Sequence, residues 1–425
     1  MPRKGGPPPS VLVVGAGDRG AAYARYVLEH PEQGRVAAVA DPDPRARDRL
    51  GDAAGLPPSR RFVDWRAALD GPRVADAVLI ATPDREHAAP AIAFAAAGWA
   101  VLLEKPMAPT AAECRAIVAA VERAGVIFAV CHVLRYTPYT RRLRRLVADG
   151  VIGDLAGVTH LEPVGWWHFA HSYVRGNWRR ADLGSSVLMA KSCHDLDWIR
   201  FVLGVPCERV ASFGARVHFR PERRPAAATD RCLDCPLERS CPYSAVRLYR
   251  DRARAGDLGW PVSVLGHERT VDGVERALAD GPYGRCVYAC DNDVLDQQVV
   301  ALEHRGGRSA TFTLSAFTPF TGRRSVLFGD RGWIVGDGAR LERHDFVTDR
   351  RTVERVRAAG NHGGGDAALM RAFLTAVRTG DPTGLATGAA ETLETHLTVL
   401  AAEQARVEGR VVCVGDWLDA AADAS

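Results

Sequence analysis

Several residues have types and spacings that could do chemistry. Glu104-Lys105-Pro106 follows the apolar run Ala100–Leu103. A lysine there would project beyond the carboxyl end of a parallel strand, where ligands of open α/β sheets bind. Beside another positive charge its protonated form is disfavoured, which suits proton transfer. On spacing alone, a surface lysine in a turn fits equally well. His194 lies in the helix-like stretch Val187–Leu203, either as a general base or as a hydrogen-bonded structural ring. Asn361-His362-Gly363-Gly364-Gly365-Asp366 sets a histidine and an aspartate at a glycine-rich entry to a helix. Asp366 suits an N-cap. Three glycines exceed what a cap needs, so His362 and Asp366 are expected at a substrate edge. Trp166, Trp167 and His168 form a polar-aromatic cluster whose faces could stack on a sugar ring or fill a core.

Gly15-Ala16-Gly17-Asp18-Arg19-Gly20 directly follows an apolar strand and opens a helix. The first glycine makes a tight turn, the second admits a pyrophosphate, and the third lets helix and strand pack. Asp41 ends the second strand about 20 residues further on, the place from which an acidic side chain holds ribose hydroxyls. It would repel a 2′-phosphate, so NAD is favoured over NADP, although Arg45 and Arg47 stand nearby.

Ten cysteines are present, and five are grouped as Cys232-x2-Cys235-x5-Cys241 and Cys286-x3-Cys290. In a reducing compartment these are metal ligands or free thiols. Cys232, Cys235, Cys241 and Cys286, with Cys290 as the alternative fourth ligand, would close a tetrahedral structural zinc site. Free thiols fit equally, and an iron–sulfur cluster is disfavoured because the spacing matches no ferredoxin run. Cys114, Cys131, Cys193, Cys207 and Cys413 read as small apolar residues.

The elements that must position these groups divide the 425-residue chain in two. Residues 1–10, rich in Gly and Pro, form a loose tail. Over 11–150, the strand candidates Val11–Val14, Arg35–Ala40, Ala75–Ala81, Ala100–Leu103 and Val126–Val130 alternate with amphipathic stretches. That pattern predicts a parallel sheet covered on both faces. Over 151–425 the segments Leu155–Val164, Val210–Phe219, Val294–Glu303, Ser309–Phe317 and Arg323–Val335 predict an α+β domain with a mostly antiparallel sheet. A cysteine-containing insertion interrupts it at about 221–290. Helices are expected at Val187–Leu203, Asp366–Thr379 and Ala389–Glu408. The net charge of +4 is small, and the basic run Arg141–Arg145 reads as a solvated helix face, which speaks against nucleic acid. The first residues carry no apolar signal core and no segment reads as a membrane span, so a cytoplasmic protein is expected.

Taken together, these features resemble the glucose–fructose oxidoreductase, inositol dehydrogenase and rhizopine-catabolism (Gfo/Idh/MocA) family. The resemblance runs through the glycine motif with Asp41, Thr82-Pro83-Asp84-Arg85-Glu86-His87, Glu104-Lys105-Pro106, Arg135-Tyr136-Thr137-Pro138, Trp178-Arg179 and His194-Asp195-Leu196-Asp197. It implies a Rossmann domain joined to an open sheet, homo-oligomers (dimers or tetramers) often formed through that sheet, and NAD-dependent oxidation of a sugar-like secondary alcohol. It assigns Lys105 and His194 to the hydroxyl proton. The cofactor residues it implies are Gly15, Gly17, Asp18, Arg19, Gly20, Asp41, Thr82, Pro83, His87, Glu104 and Lys105. Arg135, Tyr136, Trp166, Lys191, His362 and Asp366 are expected on the substrate. Family members commonly carry an aspartate four residues before the histidine, where this chain has Ala190; Lys191, one position on, could take over as a polar anchor. Two other outcomes share the fold: a glycosidase that oxidises transiently and eliminates, and a non-catalytic sugar or dinucleotide sensor.

Overall fold

The computed structural model describes residues 7–266, 268–357 and 360–419. Residues 1–6 of the expected tail lie outside the described residues.

Six short strands form the first sheet: β1 (Ser10–Val14), β2 (Arg35–Ala40), β3 (Arg61–Phe62), β4 (Ala77–Ile80), β5 (Ala100–Leu103) and β6 (Phe128–Val130). They are all parallel and run in the order β3-β2-β1-β4-β5-β6, the doubly wound arrangement. β1, β4, β5 and β6 are buried along their whole length, which is why they read as continuous apolar runs. The strand order reverses between β1 and β4, opening a crevice at their carboxyl ends.

Nine strands form the second sheet: β7 (Leu155–Pro163), β8 (Cys207–Ala215), β9 (Gln297–His304), β10 (Arg308–Ser315), β11 (Arg324–Gly329), β12 (Gly332–Gly336), β13 (Arg340–Asp345), β14 (Arg350–Arg355) and β15 (Val412–Cys413). Their order is β14-β13-β12-β11-β7-β10-β9-β8-β15, and β7–β10 is the one parallel pairing among them. The stretch Arg323–Val335, which the sequence offers as one segment, folds as the β11–β12 hairpin about Asp330 and Arg331. β13 and β14 carry mostly charged residues, so no apolar alternation announces them, and they close one edge of the sheet with charge.

Two further differences bear on the site. The expected helix Val187–Leu203 is broken into Val187–Ala190 and Cys193–Leu203. The C-terminal helices also return to the first sheet: Leu369, Met370, Phe373 and Leu374 share a core with Val11, Val13, Tyr23 and Leu79. The insertion is less polar than its composition suggests, for Val246, Leu248, Tyr249, Val262, Val274 and Leu278 build a small core of their own.

Candidate active site

The glycine loop sits at the carboxyl end of β1. Gly15 has φ +88°, and a Cβ there would lie 2.5 Å from the Ala81 carbonyl oxygen, so only glycine makes this turn. A Cβ at Gly17 would meet nothing within 4 Å, leaving this face open to a close ligand. No side chain caps the helix Asp18–Glu29 that starts here, so its first amides stay available to an anion. Asp41 fixes the loop: its carboxylate accepts from the Ala16 amide at 2.6 Å and the Asp43 amide at 2.8 Å. This arrangement fits a dinucleotide. A cavity of about 330 Å³ beside it is walled by Gly17, Asp18 and Arg49 and, from the insertion, by Ser263, Leu265 and Arg269. Nothing in the local residue pattern of the insertion indicates that it reaches the glycine loop.

Lys105 follows β5 and is half-buried. Its ammonium donates to the backbone carbonyl of Ala190 at 2.5 Å. That carbonyl is free because the helix breaks at the next residue. Glu104 anchors the turn from behind: its buried carboxylate accepts from the Lys105 amide (2.6 Å), Arg19 (2.6 Å) and the Tyr23 hydroxyl (3.0 Å). Burial would raise its pKa, but the Arg19 and Lys105 charges bring it below the usual carboxylate value. Arg19 also pairs with Asp366, 3.1 Å away, tying the glycine loop to the far helix. Arg19 and Glu104, expected on the cofactor, are thus committed to this brace.

His194 lies one turn beyond Ala190 and is 6% exposed. Burial, then the Lys105 charge, push its pKa well below the ordinary imidazole value, so the ring is neutral at neutral pH. Its Nδ1 has no hydrogen-bond partner. The ring packs between His132 (centroids 5.5 Å) and His362 (6.3 Å). His362 is exposed, has φ +47°, and directs Nδ1 to Asp366 at 3.1 Å. Asp366 makes no cap bond to its helix; it joins His362 to Arg19 instead. His132 was not singled out in the sequence. It is fully buried, neither ring nitrogen makes a hydrogen bond although Nδ1 lies 3.9 Å from Asp197, and its neighbour His396 accepts from the Met107 amide just past Lys105. Its position just after β6, at the ligand-bearing edge of the sheet, was the available signal.

Lys191 turns inward, 18% exposed, with its ammonium 3.4 Å from Glu162. Burial lowers its pKa although Glu162 opposes that. Arg323 joins both Glu162 (2.8 Å) and Asp195 (2.5 Å). Glu162 and Arg323, absent from the sequence expectations, complete a charged wall next to His168, whose pKa burial and then Lys191 depress. Trp166 exposes 38% of its surface, as an open ring would. Trp167 instead packs on Trp260 and Phe320, the first of these brought in by the insertion.

Three expected contacts are placed elsewhere. Arg135 is enclosed, bidentate to Asp197 at 2.7 and 2.8 Å and bonded to Glu391; a substrate has no access to it. Tyr136 is 1% exposed and bonds Thr387 and the Ala386 amide. Both serve as internal ties, because the apolar shell around them leaves no open face. His87 is buried too, its ring nitrogens facing the Pro106 carbonyl at 2.7 Å and the Thr82 carbonyl at 2.9 Å. It clamps the Thr82-Pro83 loop to the Lys105 turn, while Thr82 and Pro83 themselves stay at the crevice surface.

Cys232, Cys235, Cys241 and Cys286 line one cavity. Among the described residues, however, no three His, Cys, Asp or Glu side chains are grouped to hold a metal ion, so the expected tetrahedral zinc site is not formed. Cys290 gives its thiol to the Cys286 carbonyl at 3.3 Å. Cys413, read from the sequence as a small apolar residue, is exposed on the edge strand β15.

Comparison with known proteins agrees with this geometry. Residues 10–132 match an oxidoreductase family with an NAD-binding Rossmann fold, and residues 140–233 match the GFO/IDH/MocA C-terminal domain. The inositol 2-dehydrogenase of Streptomyces avermitilis is 41% identical over 197 residues, 46% of this chain and 53% of that protein. The 2,7-anhydro-N-acetylneuraminate hydratase of Escherichia coli is 27% identical over 207 residues, 48% of this chain and 52% of that protein. Each match thus spans about half of the relative's length. Among solved structures, an oxidoreductase from Agrobacterium radiobacter in complex with NAD+, L-tartaric acid and magnesium superposes with a TM-score of 0.69 at 19% identity, over 96% of this chain and 99% of that one.

Proposed function

The chain belongs to the Gfo/Idh/MocA family of NAD-binding oxidoreductases, and from that premise we propose that it transfers a hydride between a secondary alcohol of a sugar, cyclitol or glycoside and NAD. One observation carries the reading: the Lys105 ammonium, just past β5, rests on the Ala190 carbonyl four residues before His194, whose ring burial and that charge keep neutral. Bound NAD would supply the hydride acceptor. The chain's own groups do the rest. Asp41 is placed to hold ribose hydroxyls and Gly17 to admit the pyrophosphate. Lys105, immobilised by Glu104 and Ala190, hydrogen-bonds the substrate oxygen. His194, neutral because it is buried beside a cation, takes the hydroxyl proton as the C–H electron pair departs as hydride and the C=O bond forms. His362 and Asp366 lead from His194 to the surface and offer that proton an exit. Lys191 and the exposed Trp166 ring provide a polar anchor and a stacking face for a sugar.

Support for the choice of substrate class comes from the inositol dehydrogenase relative. The hydratase relative favours a second reading, oxidation followed by elimination and return of the hydride, with His362 or Asp366 acting at the leaving group. Among the described residues no helix is long and apolar enough to cross a membrane. Phe213, Val299 and Phe328 stand exposed on sheet strands and suit an oligomer formed through that sheet.

Turnover of Lys105→Ala and His194→Ala tests the assignment, with nicotinamide binding and circular dichroism measured alongside. Each should lose about a hundredfold to ten-thousandfold in rate, the usual contribution of an acid–base group, while still binding NAD. Near-normal turnover in Lys105→Ala would remove the mechanism.

A further inference from the structure

The insertion of the second domain reaches the glycine loop of the first, a contact that hydride transfer does not require. Its base is fixed from the second domain. Arg175, fully buried, donates from Nε to the Arg285 carbonyl and from Nη2 to the Tyr243 carbonyl, both at 2.8 Å. Tyr283 stacks on His171 with ring centroids 5.0 Å apart. Val262 and Leu265 pack against the insertion's own core, which steadies the segment they belong to. From there Ser263 and Arg269 face Gly17, Asp18 and Arg49 across the cavity of about 330 Å³. The Tyr283 hydroxyl reports the same approach, for burial and then the Asp18 carboxylate raise its pKa.

The make-up of this cavity indicates what it takes. Its size falls in the range of small-molecule pockets, roughly 300–1,000 Å³. A Cβ at Gly17 would meet nothing within 4 Å, and the helix Asp18–Glu29 begins here with no side-chain cap on its amides. Arg49 and Arg269 enter from different domains, and among the described residues neither guanidinium makes an ion pair or a hydrogen bond. Two carboxylates share the cavity, Asp18 and Asp43. Asp43 caps the next helix by accepting from the Arg45 amide at 3.0 Å. Guanidinium forks beside open helix amides are the donors that recognise phosphate. Asp41 holds the same corner through the Ala16 and Asp43 amides, on the side where a ribose belongs.

We propose that Arg269 of the insertion, with Arg49 of the first domain, holds the 5′-phosphate on the adenosine half of NAD, so that the insertion clasps the bound cofactor. A phosphate on the adenosine ribose can stand at the 5′ or the 2′ position. The Asp41 carboxylate repels the second, which leaves the first for the two arginines. The clasp rests on the assignment of the glycine loop to NAD and is independent of the hydride-transfer step. It gives the insertion a task at the cofactor that its own core and its anchors in the second domain equip it for.

The test is fluorescence titration of the full chain with NADH, and displacement of that NADH by 5′-AMP, 2′-AMP and adenosine. In the unmutated chain 5′-AMP should compete better than the other two. Arg269→Ala and Arg49→Ala should each weaken NADH and 5′-AMP about tenfold, the worth of one hydrogen bond to a charged group, and leave adenosine unchanged. Arg269→Lys should recover part of the loss. Arg239→Ala, an exposed arginine elsewhere in the insertion, should bind as the unmutated chain does. Arg49 and Arg269 are exposed too, so the variants should keep the fold, which circular dichroism checks. NADH binding that Arg269→Ala does not alter would overturn the clasp and leave the cofactor assignment standing. A loss confined to 2′-AMP would overturn the 5′ position, and no NADH binding by the unmutated chain would overturn clasp and assignment together.

Discussion

The ammonium of Lys105 rests on the backbone carbonyl of Ala190, 2.5 Å away and one helical turn before His194. The family resemblance leads one to expect a carboxylate side chain at this position, where the chain has alanine. Here the main chain serves as the acceptor, made available by the helix break at Lys191 and Ser192. The acceptor that orients the Lys105 ammonium is thus neutral, and after burial the lysine is the largest influence on His194.

Restoring that charge should move the pH profile. Ala190→Asp puts a carboxylate beside His194 and favours its protonated form, so the ring's pKa rises. The acid limb of kcat/KM should shift up by on the order of one pH unit, within the usual effect of an opposite charge at close range. A profile measured from pH 4 to 9 that does not move would mean that His194 is not the titrating base.

Asp41 carries a charge and two loop hydrogen bonds, and these can be separated. The unmutated protein should bind NAD more tightly than NADP. Asp41→Asn keeps an acceptor for the loop but loses the repulsion toward a 2′-phosphate, so it should narrow the gap mainly by improving NADP. Calorimetric titration of both cofactors reads this, and equal affinities in the unmutated protein would refute the role of Asp41.

Buried histidines should make the fold sensitive to acid. Burial pushes His132 down to about 3 and His396 to about 4. The unfolded chain protonates these rings from about pH 6.5 downward, whereas the folded one resists until pH 3–4. Between those limits the unfolded state binds more protons, so stability falls as pH falls. Each ring contributes about 1.4 kcal/mol per pH unit. His132→Leu removes a ring whose nitrogens make no hydrogen bonds and should flatten the dependence by about one proton. Urea midpoints at pH 7, 6 and 5 would show it; an unchanged slope would contradict it.

Arg135 and Asp197 form an enclosed bidentate pair that links the segment after β6 to the helix of His194. Asp197→Ala leaves a buried guanidinium with reduced compensation and should cost about 3–5 kcal/mol. Apparent KM per folded molecule should stay the same, as expected of an internal tie. A raised KM at unchanged melting temperature would return Arg135 to the substrate.

The sequence revealed best what depends on local periodicity and on glycine. β2 and β5 fall on their expected residues, and the turn at Gly15 is where the motif requires it. β13 and β14 were invisible because charged edge strands carry no apolar alternation. The break after Ala190 left no mark either, since Lys191 and Ser192 are acceptable helix residues; the competing bond from Lys105 is tertiary. Residue type alone could not tell a substrate arginine from a structural one. Arg135 has its partner Asp197 in the separate His194–Asp197 motif, and only the fold brings the two side chains together. The charged wall of Glu162, Lys191 and Arg323 draws on three separate elements, so no spacing could announce it.

The central claim is hydride transfer from a carbinol carbon, and label transfer tests it most directly. Inositols, aldoses and their glycosides bearing deuterium at the carbinol positions would be offered one at a time with NAD under single-turnover conditions. The account predicts that at least one substrate yields NADH carrying the deuterium, one label per NADH formed, and that Lys105→Ala suppresses the transfer. Accumulation of labelled NADH would mark a dehydrogenase; its appearance and decay, with aglycone released and solvent deuterium entering the product in heavy water, would mark the oxidation–elimination cycle. Tight NAD binding with no label reaching the nicotinamide from any of these alcohols would contradict the account.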